Sequence, residues 1–377
     1  MEILKRQLQQ TIESNLIPNK VIVLQGARRV GKTVLIRQII NNYGGKALYL
    51  NAEDSLTTEL LKVRSIASYR RNFSGIQLLV IDEAQTIPEI GKILKLIVDE
   101  IKGIRIIATG SSAFDLLNRF GEPLTGRSIT YHLFPFSQSE LMQRQTVIEA
   151  KQEIENRLLY GSYPELFHYE TIEEKRVYLY NLVHTYLLKD ILTLDGIRGA
   201  SRLMDLLKLI ALQIGNEVSS NELSKKLGMS KNTVDKYLDL LSKVFIIFPL
   251  RGFSKNLRKE ISKSVKWYFY DTGVRNAIIS NFNELILRQD AGSLWENYLI
   301  SERLKKHHYE MDFANLYFWR TYDQQEIDLV EEINGQLTAY EIKWGNKKAK
   351  KPVAWQKAYP DAEFKIINKD DFPHWIC

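Results

Sequence analysis

One stretch sets the frame for this chain: Gly26, Ala27, Arg28, Arg29, Val30, Gly31, Lys32 and Thr33. It follows an apolar run, Val21 to Leu24, and opens an amphipathic segment from Thr33 to Ile40. Strand, glycine loop and helix in that order fit G-x-x-x-x-G-K-[ST], a loop built to hold phosphates. Gly26 and Gly31 let successive backbone N–H groups turn inward around an anion, and the helix starting near Lys32 adds its positive end. Lys32 reaches the β- and γ-phosphates, and the Thr33 hydroxyl can ligate Mg2+. A bare glycine turn with a chance Lys-Thr pair is the alternative, but it gives no reason for a strand before the loop and a helix after it. The expected class is therefore α/β with a parallel sheet, and the expected cofactors are ATP and Mg2+.

A chain of 377 residues exceeds one ordinary core, so two to four domains are expected. The formal net charge of +7 permits a nucleic-acid partner without demanding one. The single cysteine, Cys377, excludes an intramolecular disulfide and a cysteine metal site and fits a reducing cytoplasm. The N-terminus lacks the apolar core of a signal peptide, and no apolar run is long enough to span a bilayer. A cytoplasmic protein with no membrane partner is the expectation. There is no internal repeat and no low-complexity tract.

Residues 1–140 read as a nucleotide-hydrolysing core. A polar amphipathic helix, 1–16, stops before Pro18, and Ala47–Leu50 is a short strand. The apolar run Gln77–Ile81 closes on Asp82-Glu83. Asp82 would hold Mg2+, and Glu83 would polarise the attacking water; alone, the pair would read as an exposed turn. A water-activating glutamate favours hydrolysis over phosphoryl transfer to an acceptor. The strand Arg105–Ala108 leads to Thr109, Ser111 and Ser112. Ligands of open parallel sheets sit beyond the carboxyl ends of strands, so Thr109 and Ser111 could sense the γ-phosphate. The alternative is an N-cap, since Ser112 precedes a helical stretch from Ala113 to Phe120. Arg127, before a fifth strand Ser128–Leu133, could reach a phosphate of its own or a neighbouring subunit, or be a surface arginine.

The loop 26–33, the run Leu79–Gln85, the segment Ala108–Ser112 and Leu124-Thr-Gly-Arg127 together resemble prokaryotic AAA-type ATPases of the signal-transducing (STAND) class that carry a C-terminal domain of unknown function, DUF4143. The resemblance implies a sheet strand intervening between the two motif strands.

Residues 141–213 are mostly helical by apolar spacing, for example Leu158, Leu159, Leu179, Leu182 and Leu187, and would form a helical lid. There Gly161-Ser-Tyr-Pro164 is similar to the family's Gly-Gly-aromatic-Pro turn, in which the resemblance places the proline (Pro164) near the adenine; Ser162 departs from that pattern, and a plain inter-helix turn is equally open. In 214–275, Ser219 to Leu241 holds two short helices separated by a turn at Gly228, with Ser219 and Ser230 as N-caps. Val244–Phe248 and Val265–Tyr270 read as strands, joined by a loop carrying Lys255, Arg258, Lys259 and Lys263. That order describes a winged helix. Its second helix presents Lys231, Asn232 and Lys236 for DNA phosphates and base edges. A rigid spacer or protein contact is the other use.

In 276–377, Leu316–Trp319, Glu326–Val330 and Gln336–Trp344 read as strands, and Asn334-Gly335 is a two-residue hairpin signal. With that turn Ile333 faces Gln336, and counting outward sets Asp328 opposite Glu341 and Glu326 opposite Lys343, all on one face. Opposed carboxylates destabilise a sheet, and a divalent cation would remove the conflict. An acidic residue followed on the next strand by Glu-x-Lys resembles the PD-(D/E)XK nuclease core. The resemblance implies Asp328 and Glu341 as metal ligands, Glu296 from the helical stretch Asp290–Lys306 as a third, and Lys343 orienting water. Gly292 and Trp319-Arg320 match the same pattern. A nuclease-like fold without turnover is the alternative. Lys347 to Lys351 could steer a phosphate backbone or be a solvated loop. The expectation is an ATP-hydrolysing switch acting on DNA, with four domains: 1–140, 141–213, 214–275 and 276–377. The alternative is an ATP-gated module that binds DNA or a protein partner without cleaving, alone or as a homo-oligomer.

Overall fold

The computed structural model describes residues 4–110, 124–187, 200–254, 265–345 and 349–377. Ser111, Ser112, the stretch from Ala113 to Phe120, the basic loop Lys255, Arg258, Lys259 and Lys263, and Lys347 lie outside the described residues. The chain divides into two compact units, 1–134 and 135–377.

The first unit is built on five parallel strands: β1 (Lys20–Gln25), β2 (Ala47–Asn51), β3 (Leu78–Asp82), β4 (Arg105–Gly110) and β5 (Ser128–His132). Their order is β2-β3-β4-β1-β5. β4 lies between β1 and β3, as the resemblance implies. β3 is buried along its whole length, which explains why Leu-Leu-Val-Ile reads as a continuous apolar run with no alternation: helices cover both faces of a parallel sheet. The helix Ile90–Glu100 buries Ile90, Ile93, Leu94, Ile97 and Val98. That i, i+3, i+4, i+7, i+8 stripe packs in one cluster with Val21, Val23, Leu79, Ile81 and Ile106. Each such side chain contributes on the order of 1.5–3 kcal/mol by leaving water. In register, Gln25 lies beside Gly110 and Asn51 beside Asp82, so the carboxyl ends of the strands form one edge.

The second unit joins segments that the sequence divides into a lid, a winged helix and a C-terminal domain. The helices Val147–Tyr160 and Ile172–Asn181 each begin with a capping box, Thr146 with Glu149 and Thr171 with Glu174. Helix Ala200–Leu212 completes the helical part. Helices Ser220–Leu227 and Lys231–Lys243 follow, separated by Gly228 in a left-handed conformation. Ser230 caps the second by accepting from the Thr233 N–H. Ser219 stands at the N-cap position of the first without a side-chain cap bond.

A seven-stranded sheet runs through the rest, ordered β12-β11-β10-β9-β7-β8-β6. Its strands are β6 (Glu217–Val218), β7 (Ile247–Gly252), β8 (Val265–Phe269), β9 (Asn315–Arg320), β10 (Glu326–Ile333), β11 (Gln336–Ile342) and β12 (Glu363–Ile367). β7 starts three residues later than the apolar run at Val244 suggests, because the preceding helix continues to Lys243 and Phe245 turns through a positive φ. β7 pairs antiparallel with β8 and parallel with β9. That second pairing carries one sheet across the boundary expected at 275/276, so the two segments share a sheet. Trp355, fully buried among Phe253, Trp319 and Tyr359, cores the C-terminal end.

Candidate functional site

Close packing shapes the phosphate loop. A Cβ on Gly26 would fall 2.2 Å from the Leu133 carbonyl oxygen, so only glycine fits where the end of β5 meets the loop. Gly31 takes φ 96° and Arg29 φ 66°; the left-handed turns bring the backbone round into the helix Lys32–Asn42. Lys32 is buried, and its Nζ donates to the carbonyls of Gly26 at 2.8 Å and Ala27 at 3.0 Å. Its ammonium is therefore held within the curl of the loop. Behind the loop, Arg6 is 4% exposed and donates from its two terminal nitrogens to the carbonyls of Val30 and Phe134, both at 2.7 Å. Sequence reasoning missed Arg6, because its partners are backbone groups distant along the chain.

Asp82 is the hub of the opposite wall. The Thr33 hydroxyl donates to its Oδ2 at 2.9 Å, so the hydroxyl and carboxylate proposed for Mg2+ converge from the first turn of the helix Lys32–Asn42 and the end of β3. Both are hard oxygen donors, the kind Mg2+ takes. Tyr49 donates to the same Oδ2 at 2.9 Å. Thr109 donates to Oδ1, and the Glu83 N–H donates to Oδ1 at 3.2 Å and to the Thr109 hydroxyl at 3.1 Å. Glu83 itself sits at φ 53°, ψ 37°. A non-glycine residue pays to hold that conformation, and such strain gathers at functional positions. Gln85 fixes the Glu83 carboxylate by donating to Oε2 at 2.5 Å.

Tyr49 was not singled out in the sequence. It lies inside the strand read at Ala47–Leu50, but only the strand order puts β2 beside β3. Burial, then its bond to Asp82, raises its pKa above the ordinary tyrosine value, so it remains a donor at neutral pH. Tyr49→Phe is expected to lower ATP turnover roughly three- to tenfold, about 1 kcal/mol for one bond to a charged acceptor, and to raise the Mg2+ concentration needed for half-maximal turnover. A Mg2+ titration of turnover checks this; an unchanged titration curve would contradict it.

Two expectations change, those for Thr109 and Arg127. Thr109 does not present its hydroxyl outward: it is fully buried and committed to Asp82 and the Glu83 amide, so it positions the acidic pair. Arg127 lies at the start of β5, beside the start of β1, whereas the phosphate loop follows the other end of β1. Five residues of strand, about 16 Å, separate the two ends, so Arg127 does not reach its own loop; its Nε pairs with Asp99 Oδ1 at 2.7 Å on the surface. Pro164 opens the short helical turn Pro164–His168 in the second unit. The preceding turn is organised by buried Asp271, which accepts from the N–H groups of Ser162 at 2.7 Å and Val274 at 3.0 Å. A Cβ on Gly161 would fall 2.0 Å from that carboxylate, which accounts for the glycine on packing grounds.

The C-terminal carboxylates gather as the hairpin register predicts, with altered pairings. Asn334 and Gly335 take positive φ and Ile333 faces Gln336. The β10–β11 register runs to Leu329 opposite Tyr340. Beyond it, Asp328 lies where a bulge interrupts the pairing with β9, and its Oδ2 accepts the Ile342 N–H at 2.7 Å. Bulges re-aim side chains. Glu326 does not pair with Lys343, which lies just past the end of β11. Its partners are Lys266 and, at 3.8 Å, Arg320, while Lys343 Nζ pairs with Glu341 Oε1 at 2.5 Å. Glu296, on the helix Ala291–Glu310, accepts from the Tyr268 hydroxyl at 2.5 Å. Burial, opposed by Lys266 and reinforced by Asp328, raises Glu296 to about 7. Burial, with their carboxylate neighbours adding to it, also raises Asp328 and Glu341. Among the described residues no group of three His, Cys, Asp or Glu side chains is arranged to hold a metal ion. The donor set expected for a nuclease metal, Glu296, Asp328 and Glu341, is divided among a tyrosine, a backbone amide and two lysines, and does not fit a divalent ion as it stands.

The exposed residues of the helix Lys231–Lys243 include Lys231, Asn232 and Lys236. No helix among the described residues is long and apolar enough to cross a membrane.

Three family models match the chain. Residues 18–142 match the model of an AAA domain. Residues 151–285 and 291–371 match models of two domains of unknown function, DUF8612 and DUF4143. An uncharacterized protein of Mycobacterium tuberculosis is 27% identical over 328 residues, covering 86% of this chain and 70% of that one. An uncharacterized protein of Methanocaldococcus jannaschii is 25% identical over 391 residues, covering 98% and 86%. Among solved structures, a STAND protein with a tetratricopeptide repeat sensor from Pyrococcus horikoshii aligns at TM-score 0.30 and 13% identity, over 81% of this chain and 46% of that one. The RuvB Holliday junction branch migration motor of Thermotoga maritima aligns at TM-score 0.28 and 15% identity, over 65% and 89%. The first unit, a phosphate-binding loop on a parallel sheet, is the part of the chain that matches the AAA-domain model.

Proposed function

We propose that the protein is an ATP-binding and ATP-hydrolysing switch that acts on DNA. The observation that carries the nucleotide half is the meeting of Lys32, Thr33, Asp82 and Glu83 at the carboxyl edge of one parallel sheet, with Thr33 bonded to Asp82. In this reading the loop amides and Lys32 hold the phosphates, and Thr33 and Asp82 hold Mg2+, which would screen the phosphate charge. Glu83, held by Gln85, orients the attacking water.

The DNA half rests on the helices Ser220–Leu227 and Lys231–Lys243, followed by the antiparallel strands β7 and β8 with β6 added. That is the element order of a winged helix, and it presents Lys231, Asn232 and Lys236 outward. Combined Lys231→Ala and Lys236→Ala substitution is expected to weaken duplex binding at every sequence and to lower the salt dependence of binding by roughly one unit per lysine. Fluorescence anisotropy across a salt series measures both; an unchanged salt slope would remove this helix from the interface. A second reading, metal-dependent cleavage by a PD-(D/E)XK-like site, is favoured by Lys343 lying on Glu341 beside Asp328. It requires the carboxylates to exchange their present partners for a metal.

A further inference from the structure

Lys266, on β8, is the unusual member of the C-terminal cluster. Its side chain is 1% exposed, yet it is charged and lies among carboxylates. Its Nζ pairs with Glu326 and stands 3.6 Å from Glu296 Oε1, with the Phe318 ring centroid 5.3 Å away. Glu326 belongs to β10 and Glu296 to the helix Ala291–Glu310, so one ammonium joins three elements of the second unit. Lys343 neutralises Glu341 from the other side, and Asp328 is satisfied by a backbone amide. Each carboxylate has a partner made of protein.

We infer that Lys266 is the resident cation of this cluster: its ammonium, held between Glu296 and Glu326, supplies the positive charge that a divalent ion would otherwise supply, so the unit assembles its nuclease-like carboxylates without metal. A buried carboxylate needs a compensating charge, and a lysine supplies it without the six or more oxygen ligands that a hard cation demands. Removing that ammonium leaves buried carboxylates unpaired, and a divalent ion is the available replacement. This inference rests on no part of the nucleotide reading.

The test is Mn2+ binding to the full chain without nucleotide, followed by electron paramagnetic resonance of free Mn2+. Wild type is expected to show no site that depends on Asp328. Lys266→Gln is expected to gain one Mn2+ site at least tenfold tighter than anything in wild type, and Glu296→Gln in that background to abolish it. Lys266→Arg, which keeps the charge, is expected to stay without metal. A single Mn2+ bound by wild type and lost in Asp328→Asn would overturn the inference. So would a folded Lys266→Gln protein that gains no site. If Lys266→Gln does not fold, the wild-type, Asp328→Asn and Lys266→Arg titrations still decide. ATP turnover, measured separately, does not read Mn2+ bound at this cluster, so failure there is distinguishable from failure here.

Discussion

Lys32→Ala is expected to lower ATP turnover by roughly 10²–10³-fold, the usual consequence of removing one preorganised donor from developing phosphate charge, and to weaken nucleotide affinity as well. Both effects come from the same place. The ammonium is buried against the carbonyls of Gly26 and Ala27, inside the curl where phosphates would lie, so it meets the nucleotide in the ground state as well as in the transition state. The fold does not depend on it: the loop keeps its shape through Gly26 against Leu133, the left-handed turn at Gly31, and Arg6 bonded behind Val30. Circular dichroism of the variant should match wild type while turnover and fluorescent-nucleotide binding both fall. Retained turnover would move the chemistry away from this loop.

Glu83→Gln is expected to separate the two. Its backbone N–H still bonds Asp82 and Thr109, so the Mg2+ side of the site is unaltered and ATP should bind with near wild-type affinity. Turnover should fall by roughly 10²–10⁴-fold, the contribution of a positioned general base. The left-handed backbone at Glu83 and the bond from Gln85 fix where that carboxylate points, so a neutral isostere keeps the shape and loses only the base. Equal losses of affinity and rate would assign Glu83 a binding role.

The phosphate loop and the acidic pair were legible because each is a local pattern, an apolar run ending in a short polar sequence whose spacing the chemistry dictates. The hairpin was legible for a similar reason: Asn334-Gly335 permits one tight turn, and the turn sets the register as far as Leu329 opposite Tyr340. The parts that were missed depend on contacts between distant residues. Tyr49 meets Asp82 only because β2 lies at the edge beside β3. Arg6 finds Phe134 across 128 positions, and Lys266 meets Glu326 only because β7 pairs parallel with β9. That last pairing also joins the segments expected as separate winged-helix and nuclease-like domains. Alternation along β8 marks Lys266 as a residue of a strand face, but nothing local reveals that the face is buried against carboxylates.

The central claim is that nucleotide state governs action on DNA, and the most direct measurement compares duplex affinity of the full chain in two locked states. Glu83→Gln saturated with ATP and Mg2+ would be set beside wild type saturated with ADP, at one salt concentration, by fluorescence anisotropy. The account predicts affinities differing by about fivefold or more, a coupling of at least 1 kcal/mol, with the difference absent in Lys32→Ala. Equal affinity in both states, or no duplex binding in either, would contradict it.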